Sequence, residues 1–411
     1  MKPAMYTIRI TDRPQSRAVT ETFLDGTLAV VSRSGLNATE RLLLTHLPHL
    51  DTAPDGALLI AGNRSGGIAL AAAMRFPKRA LDGHAFDLHH ARAIQRTLAA
   101  NGTPSRLAHD PFVRLSGDTA DGSDDAADVR PAISVHCTAA LPAGPYAAAL
   151  FMSTPGTTSG ELVLDQLEEI HARLVDGGLC LMACETDSAA LLKQVRAIFG
   201  TLSVRFDKKG VCCCIAKKKG VLARVRDFSA TFPASLPGLE PCPLISLPGV
   251  FCHRRPDTGG LALAEVASRD LAPDQHVLDM GCGCGLVGIL LARSQPTVRV
   301  TFLDSHARAL AATRRNLESL GLLDRATLLL SDCGLPHSAV RFDLFAGNPP
   351  YYSDFRIAEL FIQTAFDTLN QGGLCLTVAK SAHALQERQA ACFGQAEILP
   401  RRGYSVIKSV R

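Results

Sequence analysis

The chain repeats itself, and the repeat constrains its fold more than any other feature. Residues 38–102 contain TERLLLTHL, ALLIAGNRSGGIALAAA and AFDLHHARAIQRTLAANG, and residues 258–321 contain TGGLALAEVA, HVLDMGCGCGLVGILLA and TFLDSHARALAATRRNLESLG. Further on, Ser153-Thr154-Pro155-Gly156 precedes DGGLCLMA by the same interval that separates Asn348-Pro349-Pro350-Tyr351 from QGGLCLTVA. The two halves close on FDKKGVCCCIAKKK and LPRRGYSVIKSVR. A tandem duplication of one domain follows, and it suits a chain of 411 residues, too long for one hydrophobic core.

Each repeat alternates short apolar strands (HVLDM, VRVTFLD, ATLLLSD, FDLFAG) with helical stretches of period 3.6 such as 305–320. That order predicts an α/β fold, a parallel sheet covered by helices on both faces. The expected domains are residues 1–228 and 250–411. The proline-rich stretch 229–249 reads as a linker, because it cannot extend a helix. The glycine-rich stretch 102–144, with its acidic run DTADGSDDAAD, reads as a surface insertion in the first domain.

Hydrophobic residues make up 47% of the chain and charged residues 20%, without an apolar run long enough to cross a bilayer. The opening MKPAMYTIRITDRP lacks the pattern of a secretory signal, so a cytoplasmic protein is expected. The 13 cysteines read as buried reduced thiols: neither Cys212-Cys213-Cys214 nor Cys282-x-Cys284 has a second pair at zinc-finger spacing, and no metal site is expected.

Asp279-Met280-Gly281-Cys282-Gly283-Cys284-Gly285 follows a strand and opens an apolar helix, so glycines stand where the backbone turns sharply and approaches a ligand. A dinucleotide loop or a plain tight turn would also satisfy this heptad alone. The next strand ends in Asp304, about where an acidic side chain accepts from ribose hydroxyls, and a third ends in Ser331-Asp332. Asp332 would equally serve as a turn or cap aspartate. Taken together, these strand ends make the C-terminal half resemble a class I S-adenosylmethionine-dependent methyltransferase. The resemblance implies two tandem Rossmann-like domains with S-adenosylmethionine as cofactor. Gly281, Gly283 and Gly285 would pass under its methionine part, Asp304 would hold the ribose, Asp332 and the Cys333 amide the adenine, and Asp279 would face the ammonium group. Cys282 and Cys284 read as small loop residues.

Asn348-Pro349-Pro350-Tyr351 follows a further strand. Two prolines remove two amide donors and leave carbonyls that can only accept hydrogen bonds. A planar conjugated amine is a poor nucleophile; if Asn348 Oδ1 and the Pro349 carbonyl take its protons, its lone pair is directed at the methyl carbon. Tyr351 would stack on the planar substrate.

Enzymes with this tetrad modify adenine or guanine amino groups or glutamine amide nitrogen. The duplication, FCHRRPDTGG and the closing RRGYSVIKSVR make the chain similar to the ribosomal RNA guanine-N2 methyltransferases of the RsmC and RlmG type. Those enzymes more usually carry phenylalanine at the position of Tyr351, which leaves adenine-N6 chemistry open; glutamine-N5 methylation and a non-catalytic RNA-binding factor are the other readings. The first domain is expected to be degenerate. Ile60 stands for Asp279, Arg64 for Gly283 and Ser153-Thr154-Pro155-Gly156 for the catalytic tetrad, although Asp87 remains in the place of Asp304. Its role would be to position RNA. A net charge of +4 announces no nucleic acid by itself, so Lys208-Lys209, Lys217-Lys218-Lys219, Arg254-Arg255 and Arg401-Arg402 are the candidate phosphate contacts, although any one of them taken alone reads better as solvated surface charge. His89 and His90 read as helix-surface residues.

Overall fold

The computed structural model describes residues 18–23, 26–31, 35–62, 64–115, 133–153, 159–185, 189–206, 210–336, 340–350 and 355–411. They fall into two compact units, one holding 18–110 and 133–228 and the other 111–115 and 229–411. The first opens on a hairpin of β1 (Ala18–Phe23) and β2 (Gly26–Val31), followed by α1 (Ala38–His46), β3 (Ala57–Ala61), α2 (Gly67–Arg75), β4 (Leu81–His84), α3 (Leu88–Ala100) and β5 (Ser105–His109). The two-residue strand β6 (Arg114–Leu115) belongs to the second unit. The first then continues with β7 (Ile133–Cys137), β8 (Tyr146–Met152), α4 (Gly160–Arg173), β9 (Leu174–Glu185), α5 (Ala189–Phe199), β10 (Thr201–Phe206) and β11 (Val211–Lys217).

The second unit runs β12 (Ala230–Ala234), β13 (Cys242–Ser246), α6 (Thr258–Ala267), β14 (His276–Met280), α7 (Leu286–Ser294), β15 (Arg299–Asp304), α8 (Ala307–Ser319) and β16 (Ala326–Leu330). It ends with β17 (Phe342–Gly347), α9 (Arg356–Thr368), β18 (Leu369–Ala379), α10 (His383–Phe393), β19 (Glu397–Arg401) and β20 (Tyr404–Val410). No helix among the described residues is long and apolar enough to cross a membrane.

Each unit is built on an eight-stranded sheet, ordered β10-β11-β9-β8-β3-β4-β7-β5 in the first and β19-β20-β18-β17-β14-β15-β16-β6 in the second. Position for position the two agree: parallel strands, closed at one edge by an antiparallel pair. These are the two Rossmann-like domains that the repeat predicts. The central strands β14 and β8 are almost wholly buried, as strands covered on both faces must be, and apolar apart from His276 and Asp279 of β14.

Two expectations are corrected. The stretch 229–249 is no free linker: β12 and β13 pair as an antiparallel hairpin, with Pro233 opposite Pro243. Asn316 of α8 fixes this hairpin, accepting from the Ile245 amide at 2.7 Å and donating to the Ile245 carbonyl at 2.9 Å. Prolines forbid a helix but are tolerated in an isolated two-strand ribbon. Likewise 102–144 is more than an insertion. Its ends supply β5 and β7 to the first sheet and β6 to the second, pairing Arg114 with Leu329 and Leu115 with Leu330. Residues 116–132, with the acidic run, lie outside the described residues.

Candidate functional site

The order β17-β14-β15-β16 brings four strand ends to one edge of the second sheet. Register sets their level: Met280 pairs with Leu303 on one side and Gly347 on the other, and Asp304 pairs with Leu330. The glycine loop therefore emerges between Asn348, one residue past β17, and Asp304, the last residue of β15. Ser331-Asp332 follows one strand further along.

Gly285 is in the left-handed region at φ 83°, where it caps α7, and a Cβ there would lie 2.9 Å from both Ile289 Cδ1 and Thr313 Cγ2. Gly281, at φ 70°, is packed against Phe361 of α9, whose Cζ would lie only 2.8 Å from a Cβ there. Gly283 is different. A Cβ on it would meet nothing closer than Val250 Cγ1 at 4.0 Å, so this is the open side of the loop.

Asp304 ties the loop down. Its Oδ2 accepts from the Gly283 amide and its Oδ1 from the His306 amide, both at 2.9 Å, and the residue is half-buried. The Ser331 amide donates to the Asp304 carbonyl at 3.0 Å, fastening the third strand end to the same point. Asp332 and Cys333 are half-buried there, and the Cys333 amide donates to Ser331 Oγ at 3.3 Å, a long bond.

Asp279 departs from expectation. It is 2% exposed, and its Oδ2 accepts from the Gly288 amide at 2.8 Å in the first turn of α7. A carboxylate so placed anchors the helix that carries the loop instead of standing open to a ligand. Burial pushes it up to about 7, against the pull of the Gly288 amide and with help from the nearby Asp304 charge. Cys282 and Cys284 are buried, and burial raises both thiols, as suits packing residues and not nucleophiles.

At the other flank Asn348 is half-buried, Pro349 buried and Pro350 half-buried; Tyr351 lies outside the described residues. Asn348 Nδ2 donates to Asp257 Oδ2 at 2.6 Å. Asp257 caps α6, accepting from the Gly259 and Gly260 amides. With its donor end committed, Asn348 presents Oδ1 as an acceptor. Glycine at 259 leaves the room: a Cβ there would sit 3.2 Å from the Tyr404 ring and 3.5 Å from Asn348 Nδ2.

Asp257, Thr313 and Asn316 were not singled out in the sequence. Thr313 Oγ1 donates to the Gly283 carbonyl at 3.0 Å and Asn316 Nδ2 to the Cys284 carbonyl at 2.9 Å, both from α8. Only the position of Asp257 immediately before the helix, with glycines following, carried a signal, that of an N-cap. The others act through pairs thirty or more residues apart.

The first unit repeats the scaffold but not the site. Gly66 caps α2 at φ 80° as Gly285 caps α7, and Thr97 donates to the Ser65 carbonyl as Asn316 does to Cys284. Ile60 holds the position of Asp279, because Ile60 pairs with Gly83 and Asp279 with Phe302. The same register corrects the place of Asp87: Ala85 stands where Asp304 does, and Asp87 is the N-cap of α3, accepting from the His89 amide, at the place of His306. Thr154, Pro155 and Gly156 lie outside the described residues. His89 is exposed and His90 half-buried.

The basic clusters divide. Arg401 and Arg402 both pair with the buried Glu265, so they are committed to structure. Buried Lys218 donates to the Leu174 carbonyl at 2.6 Å. Lys217, Lys219, Arg254 and Arg255 are exposed, and Lys208 and Lys209 lie outside the described residues.

Residues 241–408 match the family of the methyltransferase small domain. Similar sequences include the ribosomal RNA small subunit methyltransferase C of Pseudomonas entomophila, 34% identical over 176 residues, and that of Sodalis glossinidius, 33% identical over 183. Each match covers 42% of this chain, and 52% and 50% of the respective relative, so the chain spans about half the length of the relatives it matches. A solved structure, the T. thermophilus 16S rRNA N2 methyltransferase RsmC in complex with AdoMet and guanosine, shares the fold across both units. It is 20% identical, with a TM-score of 0.71, covering 96% of this chain and 98% of that one.

Proposed function

From the match of residues 241–408 to the methyltransferase small domain family, we propose that the protein transfers a methyl group from S-adenosylmethionine to guanine N2 of ribosomal RNA. The observation that carries this reading is the placement of Asn348. Its amide nitrogen is held by Asp257, and it flanks a glycine loop whose open side is Gly283 and whose acidic neighbour is Asp304.

The residues fit the cofactor. Gly283 has space above it, and the Asp304 carboxylate stands half-buried at the adjoining strand end, bonded to the Gly283 amide of that loop. When bound, S-adenosylmethionine supplies a sulfonium methyl open to in-line displacement. Asn348 Oδ1 and the Pro349 carbonyl would accept the two protons of the substrate amine, holding it in plane and aiming its lone pair. The same acceptors would stabilise the positive charge that the substrate nitrogen gains on methylation, until one of its protons passes to water. Tyr351 is assigned the stacking role, and Asp332 with the Cys333 amide the adenine contact.

The first unit, with Ile60, Arg64 and Ala85 at the positions of Asp279, Gly283 and Asp304, is assigned to holding RNA without cofactor. The relatives' names and the guanosine bound to the T. thermophilus protein favour guanine over adenine. As an enzyme of ribosomal RNA, the protein is assigned to the cytoplasm. Mass-spectrometric comparison of nucleosides in ribosomal RNA from cells with and without the gene tests the reading. Loss of one N2-methylguanosine is expected; unchanged guanosines with a missing N6-methyladenosine, or with a missing methylglutamine in protein, overturn the assignment.

A further inference from the structure

We propose that the first unit binds one thiophilic monovalent cation, Cu(I), at Cys184, Cys212 and Cys214. The strands β9 and β11 run antiparallel with Cys212 opposite Cys184 and Cys214 opposite Met182. Residues two apart share a face of a strand, so these four sulfur side chains gather on one side of the sheet, and all four lie in the same apolar core cluster. The Cys184 and Cys212 sulfurs are 3.6 Å apart, and the three thiol sulfurs lie within 4.8 Å of one another. Three donors around one ion with metal–sulfur bonds of about 2.3 Å stand roughly 4 Å apart. The cluster therefore needs little movement to close on an ion.

The chemistry selects the ion. The group holds three thiols and no carboxylate or imidazole, and the neighbouring Met182 offers a thioether. Soft sulfur donors favour Cu(I), whereas Mg²⁺, Ca²⁺ and Mn²⁺ want oxygen. Charge points the same way: Cys184 is 3% exposed, Cys212 1% and Cys214 0%, and a monovalent ion with one thiolate is neutral in that interior. Each thiolate formed on binding releases one proton, so affinity rises with pH. Linear spacing hides the site because its ligands meet across two strands.

The test is a titration of the reduced full-length chain with Cu(I), without oxygen, in competition with a colorimetric Cu(I) chelator. One equivalent should be withdrawn from the chelator, with a near-ultraviolet thiolate-to-Cu(I) band and tighter binding at pH 8 than at pH 6. Cys212→Ala and Cys214→Ala, each checked for folding by circular dichroism, should lose the band, while Cys375→Ala and Cys392→Ala keep it. Cu(I) left with the chelator overturns the proposal, as does a band that survives Cys212→Ala. Loss of two titratable thiols on mild oxidation, with no Cu(I) taken up by the reduced chain, would identify the pair Cys184 and Cys212 as a disulfide switch instead, and equally overturns it.

Discussion

Asn348 donates its side-chain amide to Asp257 at 2.6 Å, and this bond decides which end of the amide faces a substrate. Without it the amide can turn its NH₂ group outward, presenting a donor to an amine that needs an acceptor. Asp257→Ser keeps an oxygen able to cap α6 but too short to reach Asn348. It should lower kcat by ~10²-fold, the scale of a misplaced catalytic group, and leave cofactor affinity within about twofold. Asp257→Ala should lose the same activity and about 1 kcal/mol of stability besides. Turnover kinetics and thermal unfolding of the pair separate positioning from capping; a fully active Asp257→Ser excludes the positioning role.

Asp304→Ala removes an acceptor from both the Gly283 and His306 amides. The glycine loop loses its tether, and the expected loss is ~10-fold to 10²-fold in cofactor affinity, with kcat at saturating cofactor much less affected. Calorimetric titration gives the affinity directly. It should also find one site per chain, since Ala85 stands in the place of Asp304 in the first unit. Two sites of similar affinity would refute the degenerate reading of that unit.

Asp279 makes the stability of the second unit depend on pH. In the unfolded chain its carboxyl titrates at ~4, and in the fold at about 7 because burial disfavours the charge. The folded state therefore prefers the proton. Below pH ~4 both states hold it and nothing is lost; as pH rises from ~4 to about 7 the unfolded state releases it first, and stability falls across that window. Asp279→Asn keeps an acceptor for the Gly288 amide without titrating. Melting temperatures from pH 4 to 8 should decline more steeply in the wild type than in the variant; parallel profiles would contradict this.

The repeat, the periodicities and the glycine loop made the two sheets legible, because parallel strands and amphipathic helices write their pattern locally. Asp304 and Asn348 were legible as strand ends. What the sequence concealed was partnership. Nothing along the chain links Asp257 to Asn348, or Asn316 to the Ile245 backbone, and Asp279 reads as a ligand until its burial against α7 is seen. Asp87 was misassigned because an aspartate two residues further on, capping a helix, matches the motif by type but not by register. Arg401 and Arg402 looked like phosphate contacts until Glu265 appeared between them.

The strand β6 bears on any attempt to isolate the second half. Arg114 and Leu115 cover the edge of β16, and Phe112 lies under the Arg314 guanidinium, 4.7 Å from its ring centre. A fragment beginning at residue 229 should fold and bind cofactor, but with Leu329 and Leu330 left on an exposed edge. Their amides should exchange with solvent faster than in the full chain, while those of β14 stay protected. Equal protection of β16 in both proteins would show that β6 contributes nothing.

The most direct test of the central claim is methyl transfer by the purified chain, from labelled S-adenosylmethionine to small-subunit ribosomal RNA, followed by digestion to nucleosides. Wild type and Asn348→Ala should be run side by side with cofactor affinity measured on both. Label is expected in N2-methylguanosine with the wild type, with a loss of at least ~10²-fold for Asn348→Ala and equal cofactor binding by the two. Label in another nucleoside, or undiminished N2-methylguanosine from Asn348→Ala, would contradict it.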